Sequence, residues 1–152
     1  KDLGVEYVLV GHSERRRYFG EIDDQIVQKT RMALDLQIIP IICISEFQQF
    51  ISIFNKINNV DKAIFMYEPP NAISVQVGPI GQGEAAGVKE VVEQIKKMKT
   101  LAPNNKFFYG GSVKSNNVVD FLSQPEIDGV VPGTASQNAQ EFIKIIENAA
   151  QI

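Results

Sequence analysis

Two rhythms of apolar positions alternate along this chain. Short continuous apolar runs lie at Tyr7–Val10, Ile38–Ile44, Ala63–Tyr67, Lys106–Tyr109 and Gly129–Val131. Runs of this kind, rich in β-branched and aromatic residues, predict strands buried on both faces. Pro40 suits the early part of its strand, where a missing N–H does least harm. Between the runs, apolar residues recur three and four apart, which predicts helices. Over Ile22–Leu36 the shared face is Ile26, Val27, Thr30, Ala33 and Leu34, with Asp23 and Asp24 at the start. Over Glu84–Lys99 the stripe is Val88, Val91, Val92 and Ile95. Phe47–Ile57 reads as a short amphipathic segment and Val118–Leu122 as a brief helix. Ala139–Ala150 reads as a final helix, with Phe142, Ile143 and Ile146 expected to point inward. Glu68 to Gly83 is a long loop rich in Gly and Pro.

Strand and helix alternate five times, which implies right-handed βαβ units and a parallel sheet. No linker, repeat or low-complexity segment divides the chain, so residues 1–152 are expected to form a single domain. Periodicity alone leaves two architectures open, an open doubly wound sheet and part of a closed barrel.

Composition narrows the function classes. Hydrophobic residues make up 44% and the net charge is -3, so there is no general footing for nucleic acid or an anionic membrane. No apolar stretch is long enough to span a bilayer, and no signal-peptide pattern is present. Cys43 is alone, so no disulfide is expected and a reducing cytoplasm fits. Its setting, Ile41-Ile42-Cys43-Ile44, reads as that of a buried small hydrophobe rather than a nucleophile.

Polar residues cluster where the apolar runs end: His12-Ser13-Glu14, Ser45-Glu46, Glu68-Pro69, Gly110-Gly111-Ser112 and Gly133-Thr134. If the strands are parallel, all five clusters share one rim, the rim at which α/β proteins place their chemistry. His12 is the only histidine, and imidazole changes charge near neutral pH, so it is a candidate acid, base or hydrogen-bond donor. A structural role at the strand end is the competing reading. Glu68 is read either as a base or as a solvated carboxylate before a Pro turn, and the late glycines either as anion cradles or as tight turns.

Taken together, Val10-Gly11-His12-Ser13-Glu14-Arg15-Arg16, Phe19-Gly20-Glu21, Ile42-Cys43-Ile44-Ser45-Glu46, Tyr67-Glu68-Pro69, Tyr109-Gly110-Gly111-Ser112-Val113 and Asp128-Gly129-Val130-Val131 with Gly133 and Ala135-Ser136 resemble the triosephosphate isomerase family. The motifs fall in that family's order across essentially the whole chain. The resemblance implies an α/β fold, a partial TIM (β/α)8 barrel of about five βα units with parallel strands. It implies interconversion of dihydroxyacetone phosphate and glyceraldehyde 3-phosphate through an enediolate. Glu68 would be the base, and His12 a neutral electrophilic imidazole polarising the carbonyl; these roles are properties of the family, not consequences of spacing. Ser13 and Glu14 would support the histidine. Ser112, Gly133, Thr134 and Ser74 would bind phosphate, and Tyr109 with Ser112 would hold a lid shut. The substrate would be a small phosphorylated triose, with no cofactor and no metal.

The departures are specific. Asn71 stands where the family has Trp, the loop through Gly78-Pro79-Ile80-Gly81 is longer than usual, and Ser45 and Thr134 replace glycines. Pro132 is unusual, and Phe47–Ile57 is short. The similarity begins at the family's fourth strand, so its first three βα units, with the strand-one lysine that binds substrate, have no counterpart here. Five strands cannot close an eight-stranded barrel. The chain is therefore expected to pair with a complementing N-terminal fragment or with a second copy of itself, because exposed strand edges invite association. Two further readings stand beside the isomerase: a catalytically silent, self-associating or phosphate-binding scaffold, and another phosphate-binding barrel enzyme.

Overall fold

The computed structural model describes residues 1–70 and 86–152. Five strands, β1 (Tyr7–Val10), β2 (Ile39–Ile44), β3 (Ile64–Tyr67), β4 (Lys106–Gly111) and β5 (Gly129–Pro132), form one sheet. The described helices are α1 (Ser13–Phe19), α2 (Asp23–Asp35), α3 (Phe47–Phe54), α4 (Val88–Leu101), α5 (Val118–Leu122) and α6 (Ala139–Ala149). Every strand pairs in parallel with its sequence neighbours, in the order β1-β2-β3-β4-β5.

That order decides between the two architectures. A doubly wound sheet reverses direction part-way, so that helices cover both faces. An unreversed order with right-handed crossovers puts every helix on one face and curls the sheet toward a barrel. The fold is a partial (β/α) barrel of five units.

Register shows which side chains face the helices. Val10 pairs with Ile42, Ile42 with Phe65, and Phe65 with Phe107, forming a continuous apolar row across four strands. The row packs under Ile26 of α2, Phe50 and Ile53 of α3, and Val91, Ile95 and Met98 of α4, all fully buried. Phe50 meets Phe65 edge-on at 4.9 Å between ring centres, and Phe65 stacks on Phe107 at 5.6 Å. The helical faces expected of α2 and α4 are therefore the ones the core uses.

On the opposite, concave face lie Cys43, Ile64 and Met66, buried, and the more open Leu9, Ile41, Phe108 and Val131. Gly110 belongs to this face. A Cβ there would stand 2.7 Å from the Met66 sulfur, so only glycine lets Met66 lie over β4. Loops at the far end of the strands are tied by Asn105, whose buried Nδ2 donates to the Val60 carbonyl at 2.6 Å and the Ala63 carbonyl at 2.9 Å.

One expectation is corrected. Phe142, Ile143 and Ile146 do not point inward: they are 37%, 53% and 53% exposed, and the residue that enters the core is Ile145. α6 packs against α5 and the turn at Thr134–Gln137, at the β5 edge of the sheet. No described strand lies beyond β5, so the helix rests on one flank and leaves its broad apolar stripe uncovered. At the other edge Tyr7 and Leu9 of β1 are likewise exposed. No described helix is long and apolar enough to cross a membrane.

Phe65 lies within the row, in ring contact with Phe50, Phe54 and Phe107. Truncating a fully buried Phe removes transfer energy and leaves a cavity, at a cost of about 3–5 kcal/mol. Phe65→Ala should lower unfolding free energy by that amount in a denaturant titration, whereas exposed Phe142→Ala should change it by less than about 1 kcal/mol.

Candidate active site

β1 ends at Val10, and the chain turns at Gly11 with φ 76°. A side chain there would be strained, and its Cβ would stand 2.8 Å from Ile26 Cδ1. The turn delivers His12 as the residue that caps α1, where its Nδ1 accepts a hydrogen bond from the Glu14 backbone N–H at 3.4 Å. A ring nitrogen that accepts carries no proton, so in this arrangement the imidazole proton sits on Nε2.

Nε2 faces Glu68 Oε1 at 3.0 Å. Glu68 directly follows β3, and its backbone N–H donates to Ile44 O at 2.8 Å, which extends the ladder with β2 by one residue. Its carboxylate is buried, and the other oxygen accepts from the Ser13 backbone N–H at 3.4 Å. Two consecutive N–H groups at the start of α1 thus hold the pair: that of Ser13 orients the carboxylate, and that of Glu14 orients the ring. The Ser13 hydroxyl is buried and has no partner among the described residues.

The Glu68 contact is the largest influence on the histidine. It raises the imidazole above its ordinary value, with partial burial opposing and the Glu68 and Glu14 charges reinforcing. Burial, aided by the Glu68 charge, pushes the Cys43 thiol well up, so Cys43 behaves as the small hydrophobe its surroundings suggest.

The remaining sequence candidates sit further along the same rim. Gly111 pairs with Pro132, so Ser112 and Gly133 follow on adjacent strand ends, with Thr134 opening a short 3-10 turn. The Gly133 carbonyl accepts from the Ser136 hydroxyl at 2.7 Å, and the Ser112 carbonyl from Asn117 Nδ2 at 3.0 Å. Tyr109 is fully buried, stacked on Phe121 at 4.1 Å, and its hydroxyl accepts from the Ala86 N–H at 3.3 Å. Ser74 and Asn71 lie outside the described residues. The structure therefore brings His12, Ser13, Glu14 and Glu68 into contact, places Ser112, Gly133 and Thr134 together on neighbouring strands, and sets Tyr109 beneath them on the helix-facing side.

The family model of triosephosphate isomerase matches residues 1–149. The chain belongs to the triosephosphate isomerase family. A triosephosphate isomerase from Trichodesmium erythraeum (strain IMS101) is 36% identical over 161 residues, covering 96% of this chain and 64% of the relative. One from Mycoplasma mobile is 34% identical, with the same coverage of 96% and 64%. One from Francisella philomiragia subsp. philomiragia is 35% identical over 175 residues, covering 99% of this chain and 66% of the relative. The chain thus spans a little under two thirds of the length of these triosephosphate isomerases.

Sequence reasoning passed over Arg16, which it read only as part of a motif. Its Nε donates to the Gly11 carbonyl at 3.0 Å and its Nη1 pairs with Asp23 at 2.7 Å. The available signal was charge spacing, a run of arginines at 15–17 followed by Glu21 and Asp23. Beside it Glu21 makes a separate cluster, with Arg15 at 3.2 Å and with Lys29. Burial pushes the Glu21 carboxyl up, but the Lys29 and Arg15 hydrogen bonds and charges more than offset this and leave it below its ordinary value.

Because His12 is the only histidine, its titration is directly readable by NMR. Its midpoint should lie above the usual value near 6.5 and fall back toward it in Glu68→Gln. A raised folded-state value means that the contact's contribution to stability is full below about pH 6.5 and is lost as pH rises through the folded midpoint.

Proposed function

We propose that this chain supplies the acid–base and phosphate-binding side of a triosephosphate isomerase site, which interconverts dihydroxyacetone phosphate and glyceraldehyde 3-phosphate once the barrel is completed. One observation carries the reading: a buried carboxylate from the β3 exit and an imidazole from the β1 exit meet at 3.0 Å on one rim of one sheet.

In this reading Glu68 removes a proton from the carbon next to the substrate carbonyl. Its placement supports the role: the carboxylate is buried at the strand exit, 3.0 Å from the His12 ring. His12, with its proton on Nε2, donates to the carbonyl oxygen and stabilises the negative charge that develops there. Substrate would enter between the two side chains and replace their mutual contact, so that the Nε2 proton now given to Glu68 is given to substrate oxygen. Ser13 and Glu14 act through backbone N–H groups as positioning residues. The phosphate would lie against Ser112, Gly133 and Thr134, where neighbouring strand ends present backbone donors. Ser74 would contribute from the loop after Glu68, and the Tyr109 hydroxyl, bonded to Ala86, would anchor the far end of that loop. A lone buried Cys43 suits a cytoplasmic enzyme.

Completion of the site requires more than the five units described. Lys29, Lys56, Lys96 and Lys99 are engaged with Glu21, Asp24, Glu126 and Asp128, so these four cations do not substitute for the family's strand-one lysine. A fragment carrying the first three βα units would bring that lysine and pair with both sheet edges. The exposed apolar residues at those edges, Tyr7 and Leu9 on one and Phe142, Ile143 and Ile146 on the other, also favour a second reading, a catalytically silent half-barrel that associates with itself.

Triose phosphate turnover, measured on the chain alone and with a three-unit N-terminal fragment added, separates the two. The isomerase reading expects turnover with the fragment present, reduced at least about a hundredfold by Glu68→Gln, the scale of a lost general base. Stable homo-oligomers with no turnover in either mixture would establish the scaffold reading instead.

A further inference from the structure

The geometry points to Arg16 as the positioning residue that fixes the tautomer of His12. The assignment rests on His12 being the electrophile of the proposed site, and it adds a residue to which no role has yet been given.

Between β1 and α1 the backbone reverses through Gly11 at φ 76°, a conformation with few restraints of its own. Two things pin it. From one side α2 presses Ile26 against the place where a Gly11 Cβ would be. From the other, Arg16 Nε donates to the Gly11 carbonyl at 3.0 Å. The same guanidinium is anchored through Nη1 to Asp23, in the first turn of α2, at 2.7 Å. Arg16 is also part of α1, and its backbone N–H donates to the His12 carbonyl at 3.2 Å. One side chain therefore links the turn before His12, the helix after it and the start of α2.

The link bears on chemistry through a single hydrogen bond. The Glu14 N–H reaches His12 Nδ1 at 3.4 Å, near the long limit for such a contact. A small rotation of α1 about the turn would lose it. Without it Nδ1 loses its donor, and only the Glu68 contact at 3.0 Å still favours the proton on Nε2. Arg16 acts on neither Nδ1 nor Nε2; it sets the angle at which α1 presents its N–H groups. A planar fork with two separate donors suits this task and an ammonium does not, because lysine can satisfy the Gly11 carbonyl or Asp23 but holds no fixed angle between them.

The test uses the whole chain labelled with 15N, which gives two imidazole resonances because His12 is alone. At about pH 9 the ring is neutral. In the parent protein Nδ1 should resonate as an unprotonated acceptor and Nε2 as a protonated nitrogen. In Arg16→Met the two signals should move toward each other, because one of the two contacts that hold the tautomer is lost and the Glu68 contact remains, and in Arg16→Lys they should move part of the way. Asp23→Ala, which frees the guanidinium without removing it, should shift them in the same direction. If the folded variants keep both parental signals, Arg16 only stabilises the fold and the proposal is overturned; failure of both Arg16→Met and Asp23→Ala to fold would overturn it as well. Turnover is not needed for any of these readings, so an absence of isomerase activity with the predicted tautomer shifts would count against the proposed reaction and not against Arg16.

Discussion

The unreversed strand order is the constraint on which the rest depends. Each right-handed crossover returns the chain beside the strand it has just left, so helices gather on one face and strand exits on one rim. His12 and Glu68 are far apart in sequence, yet two neighbouring-strand steps bring their side chains to 3.0 Å. Ser112 and Gly133 are adjacent for the same reason. No loop design is needed to gather these groups; the sheet does it, and the loops only aim them.

Aiming costs local structure, and the molecule makes this visible around β1. A left-handed glycine, an arginine fork and two helix-start N–H groups serve one imidazole and one carboxylate. The core behind them is ordinary by comparison: an aromatic row on the sheet, covered by the apolar stripes of α2, α3 and α4. Packing of that kind makes the platform rigid, which is what a contact between two titrating groups on different strands requires.

What could be read from the sequence follows the range of the physics. Helical stripes such as Ile26, Val27, Thr30 and Ala33 were legible because a helix buries what its period aligns. Strands were legible from continuous apolar runs, and the clusters at their ends from polarity alone. Strand order was not, since period says nothing about which strand lies beside which. α6 shows a different limit. Its pattern marked an apolar stripe, but whether Phe142, Ile143 and Ile146 are covered depends on what lies past β5, and among the described residues no strand does. Arg16 and Asn105 escaped notice because a polar side chain spanning between elements leaves no periodic trace. The resemblance of the strand-end motifs to the triosephosphate isomerase family carried the functional reading further than any of these patterns did.

The central claim is that these five strands hold His12 and Glu68 against each other. A double-mutant cycle with His12→Gln and Glu68→Gln, read as unfolding free energy, measures this directly. At about pH 5.5, below the raised midpoint of the imidazole, the two effects should be non-additive by about 0.5–3 kcal/mol, the range for residues in contact. The coupling should shrink by about pH 9, where the ring is neutral. Effects that simply add at both pH values would mean that the two side chains do not meet, and the site as described would not exist in this chain.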